Sequence, residues 1–289
     1  MLSSAAPKVT CFTADVSICS MICRLAAVEH KVPNLSHRNV DIECLMENYE
    51  AWFVRLQPQM TVPCMQYGDE VIGDSRDIMY ALSKKHPEAD LYPTERRADI
   101  DRFISLFYSK FGTIAFFTFG NFLRKSDEVR EFIARGKTEK TIQALQKLIA
   151  ENPDLRAIGE RKLASKQQHS FVDMMLSADL PALDAGMQEV LDVMEACLGK
   201  SSFLIGDTYT LADVTATAFL ARVHIVKQES MFGVLTKKYW NDTIRTRPSF
   251  QEAYICSNWD DTLMSKQITA FSSGLDPDTV QWSGPPTVS

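Results

Sequence analysis

The chain has 289 residues, 45% of them hydrophobic, which is enough for two packed domains. Its formal net charge of -6 argues against nucleic-acid binding, because nucleic-acid-binding domains are typically basic. An odd number of cysteines without paired metal-ligand spacing argues against a disulfide framework or a metal site, and it favours a reducing, cytoplasmic location. The seven cysteines are Cys11, Cys19, Cys23, Cys44, Cys64, Cys197 and Cys256.

Targeting segments are not expected in this sequence. Residues Met1 to Lys8 lack the charged start and the apolar run of about 7 to 15 residues that a signal peptide needs. The richest apolar stretch, Phe103 to Leu123, is interrupted by polar residues and does not reach the run of about 18 apolar residues typical of a membrane span. We therefore expect neither secretion nor a transmembrane helix.

The first sixty residues alternate between strand and helix signals. Val9 to Thr13 is typical of a short strand, and an apolar stripe after Ser17 predicts a helix. Leu35 to Asp41 predicts a second strand, and Glu43 to Leu56 predicts a helix that must end before Pro58. This order is βαβα.

A hairpin and a third helix follow. Val62 to Tyr67 and Glu70 to Ile72 flank a two-residue turn that starts with Gly68, as a type II′ turn prefers. Asp74 or the next residue can cap a helix that a cationic last turn and Pro87 bring to its end. The sequence thus predicts βαβαββα across residues 7–87.

Helical periodicity dominates the second part of the chain. Residues 92–265 predict an all-helical domain, starting with a long helix over 96–123. Within it, residues 124–169 carry 11 Lys or Arg against 7 Asp or Glu, which makes a basic helical insert of net charge +4. The tail, 272–289, has too little apolar content to pack and is predicted to be disordered.

The clearest local pattern is a capping box at Thr210-Leu-Ala-Asp213, in which each side chain can bind the other residue's backbone amide. Tyr209 and Val214 can add a hydrophobic staple, so a helix is strongly specified after Thr210. Five residues at helical spacing predict its buried stripe: Leu211, Val214, Ala218, Ala221 and Ile225.

Together, these features resemble the glutathione transferase superfamily. The resemblance rests on the βαβαββα order, on Val62-Pro63 before the hairpin, on Asp74-Ser75 after it, and on Gly206 to Asp213 in the helical part. It implies a thioredoxin-like α/β domain followed by an all-α domain, and a homodimer.

A narrower resemblance is to the ganglioside-induced differentiation-associated branch of that superfamily. It is carried by Trp52 to Leu56, by Glu151 to Leu155 and by Phe203 to Val214, and the long insert also fits that branch. The branch is associated with the mitochondrial network, which implies a location in the cytoplasm and peripheral to mitochondria.

The superfamily resemblance also implies a glutathione site. In relatives, the proline equivalent to Pro63 is cis, and the backbone of the residue equivalent to Val62 pairs with the cysteinyl part of glutathione. Asp74 and Ser75 take the positions that bind the γ-glutamyl end, where a helix N-terminus offers free amides to a carboxylate. An ordinary trans proline and a plain helix cap are the alternatives.

The group that activates the glutathione thiol is expected where the first helix starts. Ser17 to Arg24 resembles the start of this helix in zeta-class enzymes, which places Ser17 at the catalytic position. A serine hydroxyl that donates to the sulfur would favour the thiolate. If Cys19 is instead an exposed, activated thiol, exchange with glutathione disulfides is expected.

An electrophile site is expected beside the long helix that starts the second domain. Its candidate residues are Phe103, Phe107, Tyr108 and Phe111. Aromatic residues at helical spacing are also typical of a core.

Two functions from different classes follow. The first is a transferase that binds glutathione and conjugates its thiolate to a small electrophile. The second is a non-catalytic adaptor of mitochondrial or membrane dynamics, whose basic insert contacts an acidic partner or organelle surface. Against the second, the chain ends in an acidic segment, Asp276 to Ser289, where the branch has a basic segment and a membrane tail.

Overall fold

The computed structural model describes residues 7–15, 17–43, 45–110, 126–253, 266, 269–270 and 273–274. They fall into two compact units. Unit 1 is built from the described parts of residues 1–39, 61–119 and 181–257, and unit 2 from those of 40–60, 120–180 and 258–289. The predicted disordered tail lies outside the described residues, except for Ser273 and Gly274.

Unit 1 contains a four-stranded sheet. Its strands are β1 (Val9–Thr13), β2 (Leu35–Asn39), β3 (Cys64–Tyr67) and β4 (Glu70–Ile72), in the order β2-β1-β3-β4. β1 is parallel to β2 and antiparallel to β3, and β3 is antiparallel to β4. The sheet therefore confirms the thioredoxin-like arrangement expected from the sequence.

Two helices of unit 1 follow the predicted boundaries. α1 (Ile18–Glu29) and α3 (Ser75–Lys85) pack against each other. The turn between β3 and β4 has Gly68 at its first position with φ +62°, a conformation that costs a residue without Cβ little. Side chains at the N-caps of both helices accept amide hydrogen bonds, and at α3 the capping residue is Asp74, one of the two residues that the sequence predicts for this role.

The predicted helix over Glu43 to Leu56 is wrong at its start. The structure has a 3₁₀ turn at Glu47–Tyr49 and a short helix, α2, at Ala51–Leu56. Met46 is left-handed, with φ +53°, and Glu50 is extended, with ψ 143°, so neither can continue a helix. The predicted end before Pro58 is confirmed.

The rest of the described chain is mainly helical. In order, its α-helices are α4 (Arg97–Ser109), α5 (Asp127–Glu151), α6 (Arg156–Gln168), α7 (Phe171–Leu176), α8 (Leu180–Leu198), α9 (Leu211–Ile225), α10 (Val234–Lys238) and α11 (Pro248–Glu252), with a π-helix at Tyr239–Ile244 after α10. α4 follows the start of the predicted long helix, but residues 111–123 of that prediction lie outside the described residues. None of the described helices is long and apolar enough to cross a bilayer.

α9 is the central helix of unit 1, and its capping box is confirmed by both reciprocal hydrogen bonds between Thr210 and Asp213. The predicted stripe understates its burial, because every residue of the helix except His224 is buried. α9 packs against α1, against α4 and against the π-helix, and this leaves it no solvent face.

Unit 2 combines residues 40–60, the segment before β3, with the basic insert. α5 and α6 form a helical hairpin, and Gly159 allows their close approach, since a Cβ there would lie 2.7 Å from the Ile149 side chain. The hairpin and the segment share one core, made of Met46, Tyr49, Val54, Met60, Leu145, Leu148 and Leu155. The insert is thus a folded part of the protein.

Candidate functional site

Several predicted site residues gather at one end of the sheet in unit 1. Phe12, near the end of β1, pairs with Cys64, the first residue of β3, and Met65 pairs with Ile72, the last residue of β4. The loop before α1, the residues before β3 and the start of α3 therefore lie at the same end of the sheet. Topology alone brings these three chain segments to one place.

Ser17 is the N-cap of α1. Its backbone is extended, and its Oγ accepts a hydrogen bond from the Ser20 amide at 3.2 Å. Because that bond uses a lone pair, the hydroxyl proton remains to be donated elsewhere. Ser17 is partly exposed, so an anion outside the helix can reach this donor.

The loop between β1 and α1 is fixed from inside by Ser20 and Arg24. Ser20 Oγ accepts from the Ala14 amide at 3.1 Å. The buried guanidinium of Arg24 donates to the carbonyls of Ala14 and Asp15, both at 3.4 Å, and to the carbonyl of Ala253 at 2.9 Å. These bonds fix the loop that leads to Ser17, and none of them involves the Ser17 hydroxyl.

Asp74 and Ser75, at the start of α3, differ in their exposure to solvent. Asp74 is exposed and caps the helix, with Oδ1 accepting from the Arg76 amide at 2.8 Å. Ser75 is buried, and its Oγ lies 2.6 Å from the hydroxyl of Tyr108 on α4. The first amides of α3 have no acceptor within the helix, so they suit a carboxylate.

Cys19, in the first turn of α1, is partly exposed and hydrogen-bonds to the hydroxyl of Ser75. Burial of the thiol raises its pKa to about 11; the Ser75 hydrogen bond and the charge of Arg222 oppose this shift, and Asp74 adds to it. Cys19 in this structure is therefore a protonated thiol at neutral pH. The structure brings Cys19, Ser75 and Tyr108 together, and Ser17 lies two residues before Cys19, at the N-cap of α1.

Arg222 was missed by the sequence reasoning. It is a buried arginine near the end of α9, and its charge favours the thiolate form of Cys19. A signal was available, because Arg222 interrupts a run of apolar and small residues that extends from Ala216 to Val223. A charged group in such a run is worth testing as a site residue.

The remaining predicted residues are placed as follows. The Val62–Pro63 bond is cis, as the resemblance implies, with Val62 partly exposed. Phe103 and Phe107 are buried, and Phe107 makes edge-to-face contacts with Phe219 and Tyr108. Both phenylalanines thus sit in the core of unit 1, and a role for them at an electrophile site stays a prediction. Phe111 lies outside the described residues.

Metal ligands do not converge in the described part of the chain. No group of three or more His, Cys, Asp or Glu side chains there is arranged to hold an ion. The groups available at the end of the sheet are hydroxyls, a thiol and helix N-terminal amides, which suit a peptide-like thiol ligand.

Sequence models of two domains match the chain. The glutathione S-transferase N-terminal domain matches residues 16–85, and the glutathione S-transferase C-terminal domain matches residues 168–254. The chain belongs to the glutathione S-transferase superfamily. The N-terminal match spans Ser17, Cys19, Val62, Pro63, Asp74 and Ser75. The C-terminal match begins at residue 168, so both matches leave out nearly all of the insert.

Individual relatives and solved structures agree with membership of this superfamily. Tetrachloro-p-hydroquinone reductive dehalogenase of Sphingobium chlorophenolicum is 29% identical over 258 residues, which cover 88% of this chain and 98% of the relative. Glutathione transferase F2 of Populus trichocarpa has a TM-score of 0.59 and 18% identity, with 85% of this chain and 96% of that structure covered. A theta-class enzyme of Xanthomonas axonopodis pv. citri, solved with glutathione bound, has a TM-score of 0.59 and 17% identity, with 87% and 99% covered.

These three relatives are named as a dehalogenase and as transferases, so they give the adaptor hypothesis no support. They also do not confirm the narrower resemblance to the ganglioside-induced differentiation-associated branch.

Proposed function

We propose that the protein is a glutathione-dependent transferase that holds the glutathione thiolate at the N-terminus of α1 and transfers it to a small electrophile. The observation that carries this proposal is the geometry of Ser17. Its Oγ is engaged as an acceptor by the Ser20 amide, so its proton is left to be donated to a sulfur outside the helix.

The other contacts with glutathione are assigned by the chemistry of its two ends. Val62, beside the cis proline, offers its backbone to the cysteinyl part. The amide of Ser75 at the start of α3 suits the γ-glutamyl carboxylate, and the exposed carboxylate of Asp74 suits the γ-glutamyl ammonium.

In this mechanism, the role of Ser17 is to lower the pKa of the bound thiol. A hydroxyl that donates to the sulfur, together with the dipole of α1, stabilises the thiolate relative to the thiol. The thiolate attacks the electrophilic carbon, and the leaving group departs with the electron pair of the broken bond. Arg24 contributes by fixing the loop, and it takes no part in the bond change.

The test is a calorimetric titration of glutathione, followed by a measurement of the ultraviolet absorbance of bound thiolate against pH. Wild type is expected to bind glutathione and to bring its thiol pKa below the usual value of about 8.5. Ser17→Ala is expected to retain binding but to lose roughly 10- to 100-fold of kcat/KM towards 1-chloro-2,4-dinitrobenzene, as for a hydrogen bond to a charged group. Ser165→Ala, on the exposed face of α6, is the matched control.

Absence of glutathione binding by wild type would overturn the proposal. Binding with an unshifted thiol pKa would overturn the role of Ser17 alone.

A second candidate is thiol–disulfide exchange through Cys19. It is favoured by the partial exposure of Cys19 beside Ser75 and by the name of the reductive dehalogenase relative. In this reaction the Cys19 thiolate attacks a disulfide that contains glutathione, a mixed disulfide forms, and the other sulfur leaves as a thiolate. The raised pKa of Cys19 disfavours this reaction in the unliganded protein.

The two candidates give opposite results with two variants. If Cys19→Ser abolishes turnover and Ser17→Ala leaves it unchanged, exchange is the function. The reverse pattern assigns the transferase reaction.

A further inference from the structure

A tyrosine, a histidine and a glutamate form a hydrogen-bonded chain at the end of the sheet opposite the proposed glutathione site. Tyr67 is the last residue of β3 and pairs with Val9, the first residue of β1. Its hydroxyl lies 3.0 Å from Nε2 of His86, the residue that ends α3. Nδ1 of the same imidazole lies 3.3 Å from Oε1 of Glu88. The imidazole therefore connects a phenol to a carboxylate.

The direction of each hydrogen bond follows from the chemistry of the groups. The pKa of Glu88 is lowered, mainly by a hydrogen bond from its own backbone amide and also by His86, so at neutral pH Glu88 is a carboxylate that only accepts. Nδ1 of a neutral His86 must then carry the proton, which leaves Nε2 as an acceptor. The Tyr67 hydroxyl donates to Nε2. His86 is thus positioned as a base for the Tyr67 proton.

A positive charge lies over the ring of the same tyrosine. Nζ of Lys85 is 4.7 Å from the centre of the Tyr67 ring and 2.6 Å from Oε2 of Glu70, which stands opposite Tyr67 in the sheet. His30 is a further ionisable group that interacts electrostatically with His86. The lysine charge favours a phenolate, and Glu70 offsets part of that effect. The surroundings of Tyr67 combine a base with a nearby cation.

Tyr80 and Tyr92 provide an internal comparison. Like Tyr67, they are partly exposed, but their hydroxyls donate to the carboxylate of Asp101, at 2.7 Å and 2.8 Å. Burial and the hydrogen bond to Asp101 raise the pKa of Tyr92 to about 12 and that of Tyr80 well above its usual value. A carboxylate beside a phenol opposes loss of the proton, whereas an imidazole can accept it and a lysine can stabilise the product. Tyr67 should therefore be the most nucleophilic of the three.

We propose that Tyr67 is a nucleophilic tyrosine that accepts an acyl group from an activated ester, with His86 as the general base and Glu88 as the residue that orients it. Because Tyr67 is partly exposed, a small ester can approach it from solvent. The Tyr67 oxygen attacks the carbonyl carbon while its proton passes to Nε2 of His86. The bond from that carbon to the leaving oxygen then breaks, and the leaving group departs with the electron pair. His86 releases the proton to the leaving group or to water, and an O-acyl tyrosine remains.

The experiment treats the full-length protein with a limiting amount of p-nitrophenyl acetate and follows the acetylated residues over time by peptide mass spectrometry. In wild type, Tyr67 is expected to be acetylated roughly tenfold faster than Tyr80 or Tyr92. Hydroxylamine should remove this acetyl group, because it cleaves phenol esters and leaves lysine amides intact. His86→Gln is expected to slow the acetylation of Tyr67 roughly 100-fold, within the range for the loss of a general base.

Glu88→Gln tests the orienting role at an exposed position, where the fold is not at risk. The amide can bond to either form of the imidazole, so the tautomer with a free Nε2 is no longer favoured, and a loss of roughly tenfold is expected. Glu95→Gln, which replaces another exposed acid of unit 1, is the matched control and should react like wild type.

Acetylation of Tyr67 in wild type at the same rate as Tyr80 and Tyr92 overturns the proposal. An acetyl group on Lys85 in place of Tyr67 overturns it too, since the lysine would then be the nucleophile. An unchanged rate in Glu88→Gln excludes the hydrogen-bonded chain as the cause of the reactivity. Wild type and Glu88→Gln decide between these results even if His86→Gln does not fold.

Discussion

The hydroxyls of Ser75 and Tyr108 lie 2.6 Å apart, within one hydrogen bond. Ser75 has a single proton and also bonds to the sulfur of Cys19. Burial raises the pKa of Tyr108 far above its usual value, so the phenol keeps its proton. The three groups fit one chain, in which Tyr108 donates to Ser75 and Ser75 donates to Cys19. Helix α4 thereby orients a side chain at the start of α3.

Replacement of Tyr108 by phenylalanine tests whether this orientation matters to the ligand. Without the phenolic donor, the Ser75 hydroxyl is free to rotate, and we expect glutathione binding to weaken by about 0.5 to 1.5 kcal/mol, measured by calorimetry. Tyr80→Phe is the matched control, because it removes a phenol that bonds to Asp101, which Tyr92 also contacts. Equal losses in both variants would show a general loss of packing.

The reactivity of Cys19 should depend steeply on pH. With a pKa of about 11, the thiol is protonated across the neutral range, so its alkylation by iodoacetamide should rise roughly tenfold per pH unit up to that value. Asp74→Asn should speed alkylation at a fixed pH, since the Asp74 charge raises this pKa, and Ser75→Ala should slow it. Asp77→Asn, an exposed acid of the same turn, should leave it unchanged. A rate that levels off below pH 9 contradicts this assignment.

Asp213 should be among the most sensitive positions for stability. Its buried carboxylate accepts from the Thr210 amide and hydroxyl at 2.9 and 3.1 Å, from the Leu204 amide at 3.0 Å and from the Tyr239 hydroxyl at 2.6 Å. An amide cannot accept all four, so Asp213→Asn should lower the free energy of unfolding by roughly 3 kcal/mol in urea denaturation. Asp242→Asn, at an exposed position of the π-helix, should change it by less than about 0.5 kcal/mol.

The shared core of unit 2 can be tested at Leu145, which is fully buried on α5. Truncation by Leu145→Ala should cost about 2 to 5 kcal/mol. Amide hydrogen exchange should then accelerate in 46–60 as well as in the insert, because both segments line this core. Gln146→Ala, its exposed neighbour, should leave exchange in both segments as it is in wild type.

Local patterns in the sequence predicted most of unit 1 correctly. Gly68 determines a turn and the Thr210 box starts a helix, and each acts through its own backbone or nearest neighbours. In unit 2, Pro58 ends a helix in the same local way. The predicted helix over Glu43 to Leu56 was wrong at its start, where contacts with residues distant in sequence determine the backbone conformation. Met46 adopts a left-handed conformation while its side chain is buried in the core that α5 completes, and nothing near it in sequence announces that partner.

The candidate site was predictable in part for the same reason. Ser17 and Asp74 act as caps of their own helices, so their positions follow from local sequence. The pairing of Ser75 with Tyr108 depends on how α3 meets α4, and the approach of Arg222 to Cys19 depends on how α9 meets α1. Such side-by-side placement is a property of the tertiary fold.

Unit 2 combines segments that are far apart in the sequence, and this affects how the protein folds during its synthesis. Thr141 meets Met46 across 95 residues of sequence, and Arg55 meets Asp154 across 99. During synthesis, residues 40–60 leave the ribosome long before residues 120–180 are made. Until then, the apolar side chains of the earlier residues have no core in which to be buried. Contacts this distant in sequence form slowly. The period between the two events is when the nascent chain most depends on chaperones and is most open to proteases.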